Sequence, residues 1–498
     1  MRKEFERVTP EAVGISSAAI LEYLDELEAS NTEMHALMIM RHDKICAEGS
    51  WSPYGMKMRH SLQSHSKTYA ATAMGVAVTR GEVGLDERVI DIFPEYAPAE
   101  PSENLRLLTV RDVLCMGCGM DREPSRSENW IRDFLHMPVN HKPGTAYYYN
   151  STGSSLLGAI IKKRTGYQLE DYLSKYFYPQ AGIDPSNHRW YCMPDGTQAG
   201  GFGMLSTIED NLRMMKVYAD GGLCGNERVL DAEYVKLATT NQNDSASEAI
   251  GNPEATDNHV GYGFQIWMCK PRGVYRADGA MGQFTIVCPE QDMIIAITET
   301  AIGAHWAQST LDITWRFLAK VQDDQRLTET ADTQRLARRM QTLSVPKLPC
   351  KPESSLIPSL GDRKYRVAEG YLTPFFYNTL LMPQPPEGIR EFHFVPDDYG
   401  LQWHIRYDSD REECIFLPTC GIWASQLLGR EGDYLRICAA SACWTEDHVL
   451  EAELKWTESC FTKKLRFTFS DEGLQVEDRS MKPVVAKAPD TYVRIELQ

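Results

Sequence analysis

Apolar residues recur at helical spacing between Ser16 and Ser30, where Ile20, Leu21, Leu24 and Leu27 share one face and Ser16 or Ser17 can cap the start. Two short apolar runs follow, Ala36–Arg41 and Lys44–Gly49. The polar pair His42–Asp43 between them predicts a hairpin at a sheet edge. From Thr68 to Arg80 the chain is dense in Ala, Gly, Val and Met and then meets Gly81, the pattern of a helix buried on most sides and closed by a glycine cap. Leu108 to Gly222 carries several helical patterns and little strand signal. Strands are predicted at Tyr262–Trp267, Phe284–Cys288 and Met293–Thr298, and the helical period returns from Trp306 to Leu343. Strands at both ends with helices between them predict an α/β fold: one sheet interrupted by a helical insertion, at about 90–222.

The pattern changes after Leu343. Pro346, Pro349, Pro352 and Pro358 interrupt a stretch without periodicity, so 344–364 reads as a linker. Beyond it, short apolar and aromatic runs alternate with turns, among them Glu391–Val395, Leu401–Tyr407, Glu413–Leu417 and Leu465–Phe469. The expected organisation is one domain over 1–343 and a C-terminal β-rich domain over 365–498. The second shows no constellation of catalytic residues.

Composition narrows the function. A net charge of -17 disfavours nucleic acid and anionic membrane partners. The start, Met1-Arg2-Lys3-Glu4, leads into no apolar stretch, and no apolar run is long enough to span a bilayer. A cytoplasmic protein without membrane attachment is expected. The 13 cysteines are odd in number and scattered, as reduced thiols would be. Cys115 and Cys118 form a C-x-x-C pair with no second pair at zinc spacing, so they are read as packing residues and no metal is expected.

Three segments carry candidate chemistry. Ser64-His65-Ser66-Lys67 puts Ser64 and Lys67 three residues apart, on one face of a helix. A serine hydroxyl becomes a nucleophile when a neighbour takes its proton, and a lysine can do so once burial lowers its pKa. The small and apolar residues after Lys67 supply that burial; Ser66 is the rival nucleophile. The second segment, Pro143 to Gly153, holds Tyr147, Tyr148 and Tyr149 at a loop-to-helix turn, where a phenol can relay a proton. The residues alone do not choose among the three. The third, Arg276-Ala277-Asp278-Gly279-Ala280-Met281-Gly282-Gln283, precedes the strand Phe284–Cys288; its small residues let a substrate lie along an exposed strand edge and accept hydrogen bonds from main-chain N–H groups.

In order, spacing and flanks these segments resemble the serine β-lactamase and penicillin-binding transpeptidase superfamily, on its class C and carboxylesterase side, from about Val13 to Lys320. Ser64–Lys67 is similar to its S-x-x-K and Tyr149-Asn150-Ser151 to its tyrosine block. Gly200–Gly203, Ser206-Thr207, Asp210 and Gly261-Tyr262-Gly263 are similar to further landmarks. The resemblance implies an antiparallel sheet flanked by helices. It implies Ser64 as nucleophile, Lys67 as base, Tyr149 as proton shuttle, and an oxyanion hole from the N–H groups of Ser64 and Ala280. No metal or organic cofactor is implied. Ser151, Asp278 and Gly279 fall at substrate-contacting positions.

Two departures shape the expectation. Ser151 stands where the family usually has Asn, and Ala277 where the third motif usually has Lys, His or Trp. Losing that cation disfavours substrates with a carboxylate. The expected function is therefore hydrolysis of small esters, amides or short peptides through an acyl-enzyme. The alternatives are β-lactamase or D-amino-acid peptidase activity, acyl transfer from the same site, and a non-catalytic binding protein. The expected partner is a small molecule, with no nucleic acid and no membrane.

Overall fold

The computed structural model describes residues 4–30, 32–301, 307–321, 325–376, 385–471, 473–480 and 492–497. The chain divides into two compact units, one formed by Met1–Trp51 with Gly55–Leu343 and the other by Ser52–Tyr54 with Ser344–Gln498.

The first unit is built on a seven-stranded sheet. Its order is Glu6–Arg7, Lys44–Ser50, Thr32–Arg41, Met293–Ala301, Gln283–Cys288, Tyr275–Gly279 and Trp267–Met268. The predicted hairpin is present, and His42 and Asp43 both adopt positive φ (50° and 61°), the backbone of a tight two-residue turn whose twist suits the strands. Beyond the hairpin, Glu6–Arg7 adds a short parallel strand along Lys44–Ser50. On the other side, Met293–Ala301 runs antiparallel to Thr32–Arg41, with Met293 opposite Arg41. The two ends of the unit thus share one sheet, and the intervening chain supplies the helical insertion. The α/β class with antiparallel strands is as expected.

The helix Ser17–Ala29 buries Ile20, Leu21, Tyr23, Leu24 and Leu27. Neither Ser16 nor Ser17 caps it through its side chain. Glu11 accepts from the Ser17 N–H at 2.9 Å instead, so a residue outside the local pattern takes that role. The helix Gln308–Leu318 packs alongside, with the rings of Tyr23 and Phe317 stacked at 4.6 Å. Within the helical stretch expected from Trp306 to Leu343, Trp306 lies outside the described residues, and a second helix spans Ala331–Gln341.

One predicted strand is absent. Tyr262–Trp267 makes only an isolated bridge between its ends, and the strand is Trp267–Met268. The cause is Gln265, which has φ 57° and directs its N–H to Leu114 O at 3.1 Å. Its side-chain amide accepts from Ser154 Oγ at 2.7 Å and donates to Leu114 O at 2.8 Å, and its carbonyl accepts from Thr68 Oγ1 at 2.9 Å. One glutamine therefore joins three helices at the expense of a strand.

The second unit is a ten-stranded antiparallel sheet, as its alternating pattern suggested, running from Glu412–Pro418 at one end to Ala424–Leu427 at the other. Gln426 on the last strand accepts from Phe416 N at 2.9 Å and donates to Phe416 O at 3.0 Å on the first. A side-chain amide here does the work of a ladder pair, and the sheet comes close to a closed barrel around Trp403, Trp456, Phe394 and Phe467.

Candidate active site

The helix Ser66–Thr79 is buried at nearly every position, and this burial makes its first turn chemically useful. Lys67 lies within it. Its Nζ donates to Gly201 O at 2.6 Å, Ser64 Oγ at 3.1 Å and Ser151 Oγ at 3.1 Å. Three neutral acceptors hold the amine without a contact carboxylate, so no opposite charge at bonding distance offsets its desolvation. Burial pushes the Lys67 pKa down to about 7, against the opposing field of Glu123. A lysine at this value is largely able to accept a proton near neutrality.

Ser64 sits in the short 3-10 turn ahead of this helix and is partly exposed. Gln63 before it has φ 51°, a left-handed backbone that a non-glycine residue adopts only under the constraint of its surroundings. Ser66, the rival, is fully buried. It donates to Gln63 O at 2.6 Å and accepts from Met204 N at 2.9 Å, so its hydroxyl is consumed in shaping the turn.

The tyrosine block ends in the helix Ser151–Thr165, capped by the Asn150 side chain accepting from Gly153 N. Tyr149 lies with its ring 4.7 Å from Lys67 Nζ and stacks on Trp267 with ring centroids 5.9 Å apart. Burial raises the Tyr149 pKa, and a hydrogen bond with Ser64 opposes the rise. Tyr147 packs edge-on against Tyr262 and Trp267. The structure thus brings Ser64, Lys67, Tyr149 and Ser151 into one cluster.

The third segment borders it. Tyr275–Gly279 forms a strand, and a Cβ at Gly279 would lie 2.0 Å from Leu62 O, so only glycine admits this approach to the turn bearing Ser64. Ala280 opens the following turn. Gln283 Nε2 donates to Glu299 O at 2.7 Å and Met281 O at 3.2 Å and so fixes this turn. Arg276 and Asp278 share one face of the strand, and Nε donates to Oδ2 at 2.7 Å, while Ala277 points the other way into the core.

Sequence reasoning did not find four residues around this cluster. Gln265 and Gln283 position main-chain groups, as described. Glu123 accepts from both N and Oγ1 of Thr152 at 3.0 Å, at the start of the helix carrying Ser151. Arg126 lies over the Phe202 ring at 4.1 Å. No local motif marks Glu123, Arg126 or Gln265, because each acts on a segment distant in sequence; Gln283 closes the third segment but carried no assigned role. Cys115 and Cys118 are buried free thiols, and burial pushes Cys115 up to about 12. Among the described residues no group of three or more His, Cys, Asp or Glu side chains is placed to hold a metal ion, and no helix is long and apolar enough to cross a membrane.

A serine and a lysine on one helix turn, a tyrosine over the lysine and a strand edge beside them define an arrangement of the penicillin-recognising serine hydrolases. The sequence matches the Beta-lactamase family over residues 25–301, more than half of the chain, and the chain belongs to that family. It is similar to penicillin-binding protein 4 of Amycolatopsis lactamdurans, 27% identical over 210 residues, which span 35% of this chain and 54% of that protein, about half its length. It is also similar to a 6-aminohexanoate-dimer hydrolase of Paenarthrobacter ureafaciens, 23% identical over 317 residues, covering 58% of this chain and 78% of the other. Among solved structures, a novel penicillin-binding protein homolog from Caulobacter crescentus has 15% identity and a TM-score of 0.49, covering 63% of this chain and 100% of that one.

Proposed function

We propose that this protein is a cytoplasmic serine hydrolase of the class C and carboxylesterase side of its family, acting on small esters, amides or short peptides through an acyl-enzyme. The observation that carries the reading is the Lys67 amine, 3.1 Å from Ser64 Oγ and with a pKa pushed down to about 7 by burial. Ser64 Oγ attacks the substrate carbonyl carbon as its proton passes to Lys67 Nζ. The displaced electron pair rests on the carbonyl oxygen, which accepts from the N–H groups of Ser64 and Ala280. Collapse breaks the bond to the leaving group, which takes a proton relayed through Tyr149. Water then adds to the acyl-Ser64 ester by the same proton route and releases the acid.

Ester and amide substrates are favoured over β-lactams and other carboxylates. Ala277 offers no cation and lies in the core, and the Arg276 guanidinium is engaged by Asp278 and Asn258 within the fold. The chemistry is assigned to 1–343, with 344–364 as connector and 365–498 as a β domain without catalytic groups.

The test is labelling with a fluorophosphonate followed by peptide mass analysis. The adduct is expected on Ser64 and is expected to vanish in Ser64→Ala while persisting in Ser66→Ala. An adduct that survives Ser64→Ala refutes the assignment.

A further inference from the structure

We propose that Asp278 is a specificity residue of this site, accepting a protonated amine on the acyl part of the substrate, so that aminoacyl esters and amides are preferred over their neutral isosteres. The inference rests on the serine-hydrolase reading and deepens it.

The strand Tyr275–Gly279 alternates its side chains, placing Arg276 and Asp278 on the face opposite Ala277. Arg276 is fully buried. Its Nε donates to Asp278 Oδ2 at 2.7 Å, its Nη1 to Met268 O at 3.1 Å and its Nη2 to Asn258 Oδ1 at 2.5 Å. All three of its nitrogens are therefore engaged inside the fold. A guanidinium held this way acts as a fixed strut behind Asp278.

Asp278 is used on one side only. Oδ2 takes the Arg276 bond, Oδ1 has no hydrogen-bond partner among the described residues, and the side chain keeps 19% of its surface exposed. The Asp278 charge is felt by the reacting groups, acting on both Lys67 and Tyr149. Arg276 sits over the Trp267 ring at 5.7 Å, Trp267 stacks on Tyr149, and the Tyr149 ring faces Lys67 Nζ at 4.7 Å. Along the chain, Asp278 precedes by two residues the Ala280 N–H assigned to the carbonyl oxygen. A group held at Asp278 therefore belongs to the part of the substrate near the scissile carbonyl.

The surrounding charge suits a cation. Glu248, whose Oε2 accepts from the uncharged Asn252 and Asn258 amides at 2.9 Å, contributes a second negative charge to the field at Tyr149. At Lys67 the Arg126 charge opposes these carboxylates, and it is itself offset by Glu123. An ammonium donating to Oδ1 completes the carboxylate. A carboxylate placed there meets an anion with its arginine already engaged.

The test compares kcat/KM for aminoacyl p-nitroanilides, with the amine on the α, β or γ carbon, against isosteres in which methyl replaces the ammonium. The ratio within a pair is the readout, and wild type is expected to favour the amine by about tenfold or more at one spacing, equivalent to about 1.4 kcal/mol. Asp278→Asn is expected to bring that ratio to near one, and Asp278→Glu to keep a preference. An equal ratio in wild type and Asp278→Asn overturns the proposal. Butylammonium is expected to inhibit the wild type competitively where 1-butanol at the same concentration does not; equal inhibition overturns the proposal without any variant. Neutral-isostere turnover that survives Ser64→Ala refutes the hydrolase reading itself and is distinguished in this way.

Discussion

Replacing Lys67 by Met is expected to abolish turnover and to stabilise the folded protein at acidic pH. Lys67 has its pKa lowered from 10.5 to about 7, chiefly by burial. At about 1.4 kcal/mol per unit, such a displacement corresponds to roughly 5 kcal/mol between the charged and neutral amine in the fold. The sign follows from proton binding. Between the folded and unfolded values the unfolded chain holds the proton and the folded chain does not, so stability rises with pH across that window. Below about pH 7 the penalty is present in full, and above the unfolded value it is gone. Methionine is similar in length and carries no charge, so the variant escapes the penalty. It also leaves Gly201 O, the 2.6 Å acceptor, without its donor, at a cost of about 1–3 kcal/mol. The net expectation is a gain of about 2–4 kcal/mol at acidic pH, shrinking by about 1.4 kcal/mol for each pH unit above 7. Urea unfolding of both proteins across this range checks it, followed by the helical circular-dichroism signal that the first unit dominates. A stability difference that does not change with pH refutes the reasoning, because Lys67 would then titrate alike in the folded and unfolded chain. In the same range, wild-type kcat/KM is expected to rise with pH to a plateau, with a midpoint near the value given for Lys67.

Tyr149→Phe is expected to lower kcat by roughly a hundredfold or more, and Tyr148→Phe by only a few-fold, in a steady-state ester assay; the reverse order would move the proton shuttle to Tyr148. His188 is buried; burial alone would lower its pKa, but the carboxylates of Asp210, 3.6 Å away, and Glu170, hydrogen-bonded at 3.0 Å, push it up to about 9. Its stabilisation, roughly 3 kcal/mol, is fully present below its unfolded value and lost as pH rises through 9, so His188→Gln should lower the melting temperature markedly in acid and little in strong alkali. Gly279→Ala places a Cβ 2.0 Å from Leu62 O and is expected to cost about 1–3 kcal/mol in urea unfolding and to lower kcat by displacing the turn that bears Ser64.

What was legible in this sequence depended on whether the interacting groups were near one another along the chain. The hairpin over Thr32–Ser50 showed itself through apolar runs around a polar turn, and the three-residue spacing of Ser64 and Lys67 put them within 3.1 Å. The alternation of the strand Tyr275–Gly279 puts Arg276 on the face opposite Ala277, where it reaches Asp278 two residues on. The failures arose where a partner outside the local pattern took the bond. Ser16 and Ser17 had the chemistry of a cap, but Glu11 reached the vacant N–H first. Tyr262–Trp267 had the composition of a strand, but the bonds that Gln265 makes to Leu114, Ser154 and Thr68 outweighed its ladder. Local propensity is worth tenths of a kcal/mol per residue, whereas several buried polar groups left unpaired would cost several times more. The same reasoning applies to Lys67. Its low pKa comes from burial in the helix and from the Arg126 charge, against the opposing fields of Glu123, Asp278 and Glu248, each from a different part of the chain. A four-residue motif can announce the pair of reacting groups, but the field that sets their proton affinity is a property of the assembled fold.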